Sequence, residues 1–272
     1  MNENPSSASQ NAGQDQSIDT SVPHSARIWN YWLGGKDNYP VDRQAGDSYY
    51  ETFPEIVDFA RAARAFLQRA VTYLTREAGI RQFLDVGTGM PTHHNTHEVA
   101  QSVAPECRIV YVDNDPLVLA HARALLIGSE QGATDYLHAD LRDPDTVLKN
   151  ARQTLDLTQP VGLMLMGVLG HIPDDEAPGI VGRLLEGLPS GSYLVHYDAT
   201  NTDEDFVQAQ ERYNEAATLP YNLRSPEHLR TFFAGLEFVE PGHVQCSQWR
   251  PDPVDVGTAR ESNSRAGVAR KP

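Results

Sequence analysis

The sequence lacks a long apolar run and contains few cysteines. The ~18 uninterrupted apolar residues that a membrane span needs occur nowhere, and the longest run, 161–169, is too short. With only Cys107 and Cys246, the chain forms at most one disulfide and cannot build a metal cluster from cysteine alone. Residues 1–17 show no basic block followed by an apolar block, so we predict no signal peptide and a reducing, cytoplasmic location.

Basic residues are also scarce. Lys and Arg number 22 against 37 Asp and Glu, which gives a net charge of −15, and no three basic residues are consecutive. Proteins bind phosphate backbones through an excess of Lys and Arg. The charge therefore argues against a nucleic-acid partner, and the lack of a long apolar run argues against a membrane partner.

The overall composition is typical of a globular protein. The 272 residues are 40% apolar and 22% charged, and the length suits one core with additions. Residues 1–16 are too polar to bury and are predicted to be a disordered tail, and residues 251–272 are predicted to be a flexible tail. We expect a segment at 17–55 to precede the main domain at 56–250.

Apolar runs alternate with helical patterns through most of the chain. A helix stripe at a spacing of three and four residues begins at Ile56 and ends before Gly79. The predicted strands after it are 82–86, 108–112, 135–139, 161–166 and 192–197. The predicted helices between them are 95–104, 116–127, 143–151 and 174–188. This alternation predicts an α/β fold with a doubly wound, Rossmann-like, mostly parallel sheet.

The end of the chain follows another pattern. A helix at 226–234 is predicted to precede two strands, 236–240 and 243–249, joined by Pro241-Gly242. Two strands with such a short turn form an antiparallel hairpin, which we expect at the end of the sheet.

Glycines and acids stand where a doubly wound sheet binds its ligand, at the carboxyl ends of the strands. Gly87 and Gly89 follow the first strand and allow backbone N–H groups to approach a ligand. Asp113 closes the second strand, where a carboxylate can accept both hydroxyls of a ribose, and Asp140 closes the third. The pattern favours a nucleoside-type cofactor.

The choice between cofactors depends on two positions. The dinucleotide fingerprint has a third glycine where this chain has Thr92. Asp85 precedes the glycines inside the strand and suits a ligand that carries an ammonium group. An NAD-dependent oxidoreductase remains the alternative at this point.

Three motifs resemble the class I S-adenosylmethionine-dependent methyltransferase fold: Asp85-Val-Gly-Thr-Gly, Val112-Asp-Asn-Asp-Pro and Ala139-Asp-Leu. The segment 19–39, which includes Arg27-Ile-Trp-Asn-Tyr-Trp-Leu-Gly-Gly, resembles one bacterial family of S-adenosyl methyltransferases first catalogued as a domain of unknown function. The resemblance covers about residues 18–252. It implies that S-adenosylmethionine is the cofactor and that the cofactor contacts are Tyr31, Gly34, Asn38, Asp85, Gly87, Thr88, Gly89, Asp113, Asn114, Asp140, Leu141 and Gly167.

The aromatic segment at 17–55 is predicted to be a helical lid over the carboxyl edge of the sheet. Methyl transfer from a sulfonium needs an in-line approach with water excluded, and aromatic faces attract such a cation. A helix at 25–33 is predicted to end at Gly34-Gly35, which forms a natural joint. Packing of the aromatic side chains onto the sheet is the alternative role.

His171 follows the fourth strand and is the first candidate general base, since an imidazole titrates near neutral pH. Tyr49 is its candidate partner in acid–base catalysis, and His196 with Asp198 is a second polar pair at the same edge. We predict no metal site, because His93-His-x-x-His lacks the Glu of the zinc-enzyme pattern between its histidines.

We expect a small-molecule acceptor, such as a compound of secondary metabolism. An electron-rich ring such as an indole carbon, a phenol and an amine all remain open. A protein that binds the cofactor without transferring the methyl group is the non-catalytic alternative. The sequence does not determine the oligomeric state.

Overall fold

The computed structural model describes residues 19–125, 128–217, 219–253 and 262–272, and within them one mixed sheet of seven strands is the centre of the fold. The strand order is β3-β2-β1-β4-β5-β7-β6; the first five of these are parallel, and β7 runs antiparallel to both β5 and β6. The strands are β1 (Gln82–Val86), β2 (Arg108–Asp113), β3 (Ala133–His138), β4 (Gly162–Met166), β5 (Tyr193–Ala199), β6 (Glu237–Phe238) and β7 (Ser264–Arg270).

Helices cover both faces of the sheet. Their bounds are α1 (Ser25–Trp32), α2 (Pro40–Thr52), α3 (Ile56–Arg76), α4 (Thr96–Val103), α5 (Pro116–Leu125), α6 (Pro144–Ala151), α7 (Ala177–Glu186), α8 (Glu204–Ala216) and α9 (Pro226–Thr231). One hydrophobic core lies between the sheet and α1–α4, and a second core lies on the other face with α6 and α7. The chain therefore forms three layers, with the strand order reversing between β1 and β4.

The α3 helix shows why the periodic segment folds as predicted. Its apolar stripe, which includes Phe66, Ala70 and Leu74, is completely buried and packs in the same core as Met164 of β4 and Val195 of β5. Burying a side chain of this size stabilises the fold by about 1.5–3 kcal/mol. The stripe fixes one face of the sheet against the longest helix.

The sequence prediction of a doubly wound, mostly parallel sheet with antiparallel C-terminal strands is confirmed, and each of the five parallel strands lies within two residues of its predicted bounds.

The strand that pairs with β6 is not the predicted one. Residues 243–249 do not form the second strand: Val244 makes a single bridge to Ala266, and Cys246–Gln248 is a 3-10 helix. Ser264–Arg270 pairs with both β5 and β6 instead, so the assignment of these residues to a flexible tail was wrong. Between Arg265 and Arg270, the residues of β7 are Ala, Gly, Val and Ala. A Cβ at Gly267 would lie 3.1 Å from the rings of Phe233 and Phe238, so these rings pack closely on the backbone of β7.

Two helices were not predicted individually: α2 lies within the segment 17–55 that was predicted to be a helical lid, and α8 has no counterpart in the prediction. In α2 the buried residues are Asp42, Gly46 and Tyr49, which give no apolar stripe. In α8, Phe206 and Ala209 are the buried apolar residues of a polar segment. The predicted disordered tail at 1–16 lies outside the described residues.

No helix in the described part of the chain is long and apolar enough to cross a membrane. Cys107 and Cys246 are both buried and both free.

The buried imidazole of His243 gives a prediction on pH and stability. Its Nε2 has no hydrogen-bond partner among the described residues, and its ring packs on Phe233 and Phe238. Burial, reinforced by the nearby His196 and Arg230, lowers the pKa of His243 to about 3. In the unfolded chain this imidazole takes up a proton near pH 6.5, whereas in the folded protein it stays neutral until about pH 3. The free energy of unfolding is therefore unaffected by His243 above pH 6.5 and falls as the pH drops from 6.5 toward 3.

We predict that His243→Phe removes part of this acid sensitivity, because a phenyl ring suits the aromatic contacts and does not titrate. Between pH 7.5 and pH 4.5 the free energy of unfolding should fall less in the variant than in the wild type, by roughly 2 kcal/mol. Urea unfolding at both pH values measures this difference. An identical fall in the two proteins would contradict the assignment.

Candidate functional site

A cavity of about 230 Å³ opens at the carboxyl ends of the central strands, where the strand order reverses. Ligands bind at this position in doubly wound sheets. Its walls come from the loops after β1, β2, β3 and β4 and from helices α1 and α3. The predicted site residues in its wall are Asp85, Gly87, Thr88, Gly89, Asp113, Asn114, Asp140, Leu141, Gly167 and His171.

The glycine loop after β1 forms the floor of this cavity. Gly87 and Gly89 have φ angles of 74° and 63°, a left-handed conformation that favours glycine. A Cβ at Gly87 would lie 2.2 Å from a methyl group of Val168, so no side chain fits there. Between the two glycines, the buried Thr88 hydroxyl has no hydrogen-bond partner among the described residues. The loop therefore presents backbone and one free hydroxyl to a ligand.

Asp85 is a buried carboxylate in the cavity wall. It is 5% exposed, it accepts a hydrogen bond from the Thr96 hydroxyl at 2.6 Å, and burial raises its pKa to about 6. The Arg64 guanidinium, which also lines the cavity, opposes that rise. Near neutral pH the carboxyl group is ionised and can meet a cationic group of a ligand.

Asp113 holds the end of β2 against the glycine loop. One of its carboxylate oxygens accepts the Gly89 N–H at 3.0 Å and the other accepts the Asp115 N–H at 2.9 Å. Burial raises the pKa of Asp113. Each carboxylate oxygen has a second lone pair, so the group can still accept hydroxyl donors from a ligand.

Asp140 and Leu141 form the far end of the cavity, after β3. Leu141 is buried, whereas Asp140 is half-buried and accepts hydrogen bonds from Nε and Nη2 of the Arg142 guanidinium, the shortest at 2.8 Å. The hydrogen bond from Arg142 lowers the pKa of Asp140. This end offers an apolar surface with a charged rim.

Helix α1 supplies wall residues that sequence reasoning missed. His24 precedes the helix, its Nε2 lies 3.0 Å from the Asp115 carboxylate, and its Nδ1 is buried with no partner in the described ranges. The signal that pointed to this segment was its aromatic content, but it did not select the residues that face the cavity. The wall residues from this segment are His24, Ser25, Ala26, Trp29, Asn30 and Leu33.

Three residues predicted from the resemblance do not line the cavity. The Tyr31 hydroxyl donates to Asp47 at 2.6 Å on the surface. The Asn38 amide donates to the side chain of Asn30 at 3.0 Å, and a Cβ at Gly34 would touch nothing within 4 Å. In this structure Tyr31 and Asn38 brace the first two helices, and Asn30, the partner of Asn38, belongs to the cavity wall.

His171 lies on the short 3-10 turn after β4. Its Nδ1 is 2.9 Å from the carbonyl oxygen of Pro220, which can only accept, so Nδ1 carries the hydrogen and Nε2 carries the lone pair. Burial lowers the pKa of His171. The imidazole is therefore neutral at physiological pH and able to accept a proton.

A second, aromatic cavity of about 40 Å³ adjoins the first. His171, Ser25 and Trp29 belong to the walls of both cavities. The Tyr49 hydroxyl donates to Gln210 at 3.0 Å, and burial raises the pKa of Tyr49 far above its usual range. The aromatic rings in the wall are those of Trp29, Trp32, Tyr49, Phe59, Phe206, Tyr213 and Tyr221.

The three histidines after the glycine loop do not come together. His93 and His94 are exposed, whereas His97 is buried with its Nδ1 2.9 Å from the Tyr111 hydroxyl. Across the described parts of the chain, no group of three or more His, Cys, Asp or Glu residues could hold a metal ion.

The sheet order, the glycine loop after β1 and the acids that close the next strands are those of the class I methyltransferase fold. Mitomycin 7-O-methyltransferase, at 16% identity, shares this fold with a TM-score of 0.51 over 90% of this chain and 68% of its own. The family model for S-adenosyl methyltransferases matches residues 11–272, and the chain belongs to that family.

Two solved structures are similar over nearly their whole length. A DUF574 family protein from Streptomyces avermitilis is 46% identical, with a TM-score of 0.89 over 93% of this chain and 99% of that one. A putative methyltransferase from Thermobifida fusca is 38% identical, with a TM-score of 0.86 over 96% of this chain and 99% of that one. Among curated proteins, none matches this chain significantly.

The chain is thus a methyltransferase that uses S-adenosylmethionine, and the alternative of an NAD-dependent oxidoreductase is excluded. The residues in the cavity fit this cofactor. A floor too tight for a Cβ at Gly87, unpartnered polar atoms on Thr88 and His24, and the carboxylates of Asp85 and Asp113 together suit a ligand with an ammonium group and ribose hydroxyls.

Asp113→Ala should weaken the binding of S-adenosylhomocysteine, because hydrogen bonds to the ribose are lost. The expected cost is about 1–3 kcal/mol, or roughly five- to a hundredfold in Kd, measured by titration calorimetry. Asp145→Ala is the control, since it removes an exposed carboxylate on α6 that pairs with Arg183 outside the cavity. Equal affinities in the two variants, both shown to be folded by thermal melting, would refute a ribose contact at Asp113.

Proposed function

We propose that this methyltransferase transfers the methyl group of S-adenosylmethionine to a small molecule with an electron-rich ring, and that His171 takes up the acceptor's proton. Such acceptors include phenols, aromatic amines and indole carbons, as in secondary metabolism. The observation that carries the proposal is the position of His171 in the wall shared by the cofactor cavity and the aromatic cavity.

The cofactor is assigned to the larger cavity in an extended position across the loops. Asp85 and the loop from Gly87 to Gly89 would hold the methionyl part, and Gly167 would border the sulfonium. Asp113 with Asn114 would hold the ribose, and Leu141 with Asp140 would hold the adenine. When bound, the cofactor supplies a methyl group on a positively charged sulfur.

The acceptor is assigned to the aromatic cavity. Flat aromatic walls favour a planar ring, through offset and edge-to-face contacts worth about 0.5–1.5 kcal/mol each. Trp29 belongs to both walls, so a ring in the second cavity would lie beside the cofactor. A cavity of about 40 Å³ is smaller than the ~150 Å³ that accepts a benzene ring, so an acceptor would have to displace part of the wall.

The segment 17–55 would act as the lid of the site. Helix α1 contributes the wall that covers both cavities, and it packs on α2 and α3. A wall of this kind excludes water from the sulfonium and holds the acceptor in line with it. The net charge of −15 and the narrow aromatic cavity both favour a small acceptor over a nucleic acid.

Proton transfer is assigned to His171 alone. Its Nε2 has the lone pair that an acceptor hydroxyl or ammonium needs. Tyr49 is a poor acid, because its hydroxyl is committed to Gln210 and its pKa is raised by burial. We therefore assign the Tyr49 ring to the wall of the acceptor cavity, and we give it no part in acid–base chemistry.

The test is methyl transfer from cofactor with a labelled methyl group to a panel of phenols, aromatic amines and indoles. His171→Gln should lower kcat for the best acceptor by roughly 10²–10⁴-fold, the usual contribution of a positioned base. The affinity for S-adenosylhomocysteine should stay within a few-fold of wild type. His121→Gln is the control, because this histidine lies on α5 outside both cavities.

Two results would overturn the proposal. Binding of S-adenosylhomocysteine with no transfer to any compound of the panel would favour a cofactor sensor or another class of acceptor. Full activity in His171→Gln would show that the base lies elsewhere.

A further inference from the structure

The loop at 219–224 forms several hydrogen bonds with the turn that carries His171. The Asn222 N–H donates to the carbonyl of Gly170 at 2.7 Å. The Arg224 guanidinium donates to the carbonyl of Leu169 at 2.8 Å and to that of Ile172 at 2.6 Å. Of the four carbonyls of residues 169–172, three thus accept hydrogen bonds from this one short segment.

Tyr221 joins this loop directly to the imidazole. Its ring packs edge-to-face on His171, with 5.1 Å between ring centroids and 87° between planes. A Cβ at Gly170 would lie 2.3 Å from this ring, so the ring and the turn fit together only because residue 170 is glycine. The residue before it, Pro220, supplies the carbonyl that accepts from Nδ1 of His171.

Asp198 anchors Tyr221 from the end of β5. The Tyr221 hydroxyl donates a hydrogen bond to Oδ1 of Asp198, whose side chain is 1% exposed. The other carboxylate oxygen lies 3.7 Å from the Arg224 guanidinium and 3.6 Å from Nε2 of His196. A rigid strand therefore holds the loop through one buried carboxylate.

We propose that Asp198, acting through Tyr221, is the positioning residue for His171. The inference rests on the proposed function, because it concerns the base assigned there. Asp198 holds Tyr221, Tyr221 fixes the plane of the imidazole, and the adjacent Pro220 carbonyl fixes the tautomer that leaves Nε2 free. The arrangement gives the buried Asp198 and Tyr221 a role beyond packing.

The charge of Asp198 also acts on the imidazole. The groups that face His171 are Asp198 on β5, Tyr221 on the loop and His24 at the start of α1. Burial lowers the pKa of His171, and the hydrogen bond to the Pro220 carbonyl and the charge of the Asp198 carboxylate oppose that fall. Replacing Asp198 by a neutral residue should therefore shift the pKa of His171 downward.

Nitrogen-15 NMR of the histidine rings tests the inference without any acceptor. In the wild type, the His171 signals, assigned by their loss in His171→Gln, should show a single tautomer with hydrogen on Nδ1. In Asp198→Asn and in Tyr221→Phe the ring should populate both tautomers, and in Asp198→Asn the pKa of His171 should fall. Tyr213→Phe is the matched control, because this tyrosine lines the same aromatic cavity but packs its ring on Tyr49.

Two variants are used so that the test gives a result even if one of them does not fold. Tyr221→Phe retains the ring and loses one hydroxyl, so it reports even if the buried Asp198→Asn does not fold. Unchanged tautomer and pKa of His171 in a folded Tyr221→Phe and Asp198→Asn would overturn the inference. The same measurements stand if no acceptor is ever methylated, so this failure is distinct from a failure of the proposed function.

If the acceptor is found, kinetics add a second readout. Asp198→Asn and Tyr221→Phe should lower kcat by roughly tenfold or more through misplacement of the base, with KM for the cofactor within twofold of wild type. A loss confined to KM would contradict a positioning role.

Discussion

The cavity wall depends on one buried ion pair between the first two helices. Arg27 of α1 and Asp42 of α2 are 3% and 0% exposed, and Nε of Arg27 lies 2.9 Å from a carboxylate oxygen. Two charges in a buried position are stable only if their other hydrogen-bonding atoms are satisfied. Here they are: Asp42 accepts the N–H groups of His24 and Tyr39, and Arg27 donates to the carbonyl oxygen of Val22.

This pair connects the N-terminal segment to the chemistry. The Asp42 carboxylate fixes His24, and His24 in turn reaches Asp115 beside the carboxylate assigned to the ribose. Helix α1 then presents Trp29 to both cavities. Without the ion pair, α1 would lose its buried link to α2 and would keep only its apolar contacts and a few hydrogen bonds, such as that of Tyr31 to Asp47.

The sequence predicted those features that depend on local patterns. Apolar runs identified the five parallel strands. The glycines and acids at their ends identified the part of the cavity wall that the loops after these strands supply, because adjacent parallel strands end at the same edge. Helix α2 escaped because a buried ion pair and Gly46 replace an apolar stripe. The strand Ser264–Arg270 escaped because its burial depends on neighbours distant in sequence, and small residues carry no strong strand preference.

The role of individual side chains was harder to predict than the position of the site. Tyr31 and Asn38 belong to the distinctive N-terminal motif, yet their polar atoms contact Asp47 and Asn30. The wall residues His24 and Trp29 belong to the same motif and could not be separated from them, since the face of a short helix that meets a ligand is decided by packing. The loop that holds His171 likewise follows β5 by more than twenty residues, a distance that no local pattern spans.

The position of β7 has a consequence for how the sheet is assembled. This strand comes last of the seven in the described chain but lies between β5 and β6, and the two-residue β6 pairs with no other strand. The sheet cannot grow outward in chain order, since its sixth position stays empty until residues 264–270 arrive. Completion of this edge is therefore a late, non-local event, of the kind that slows folding.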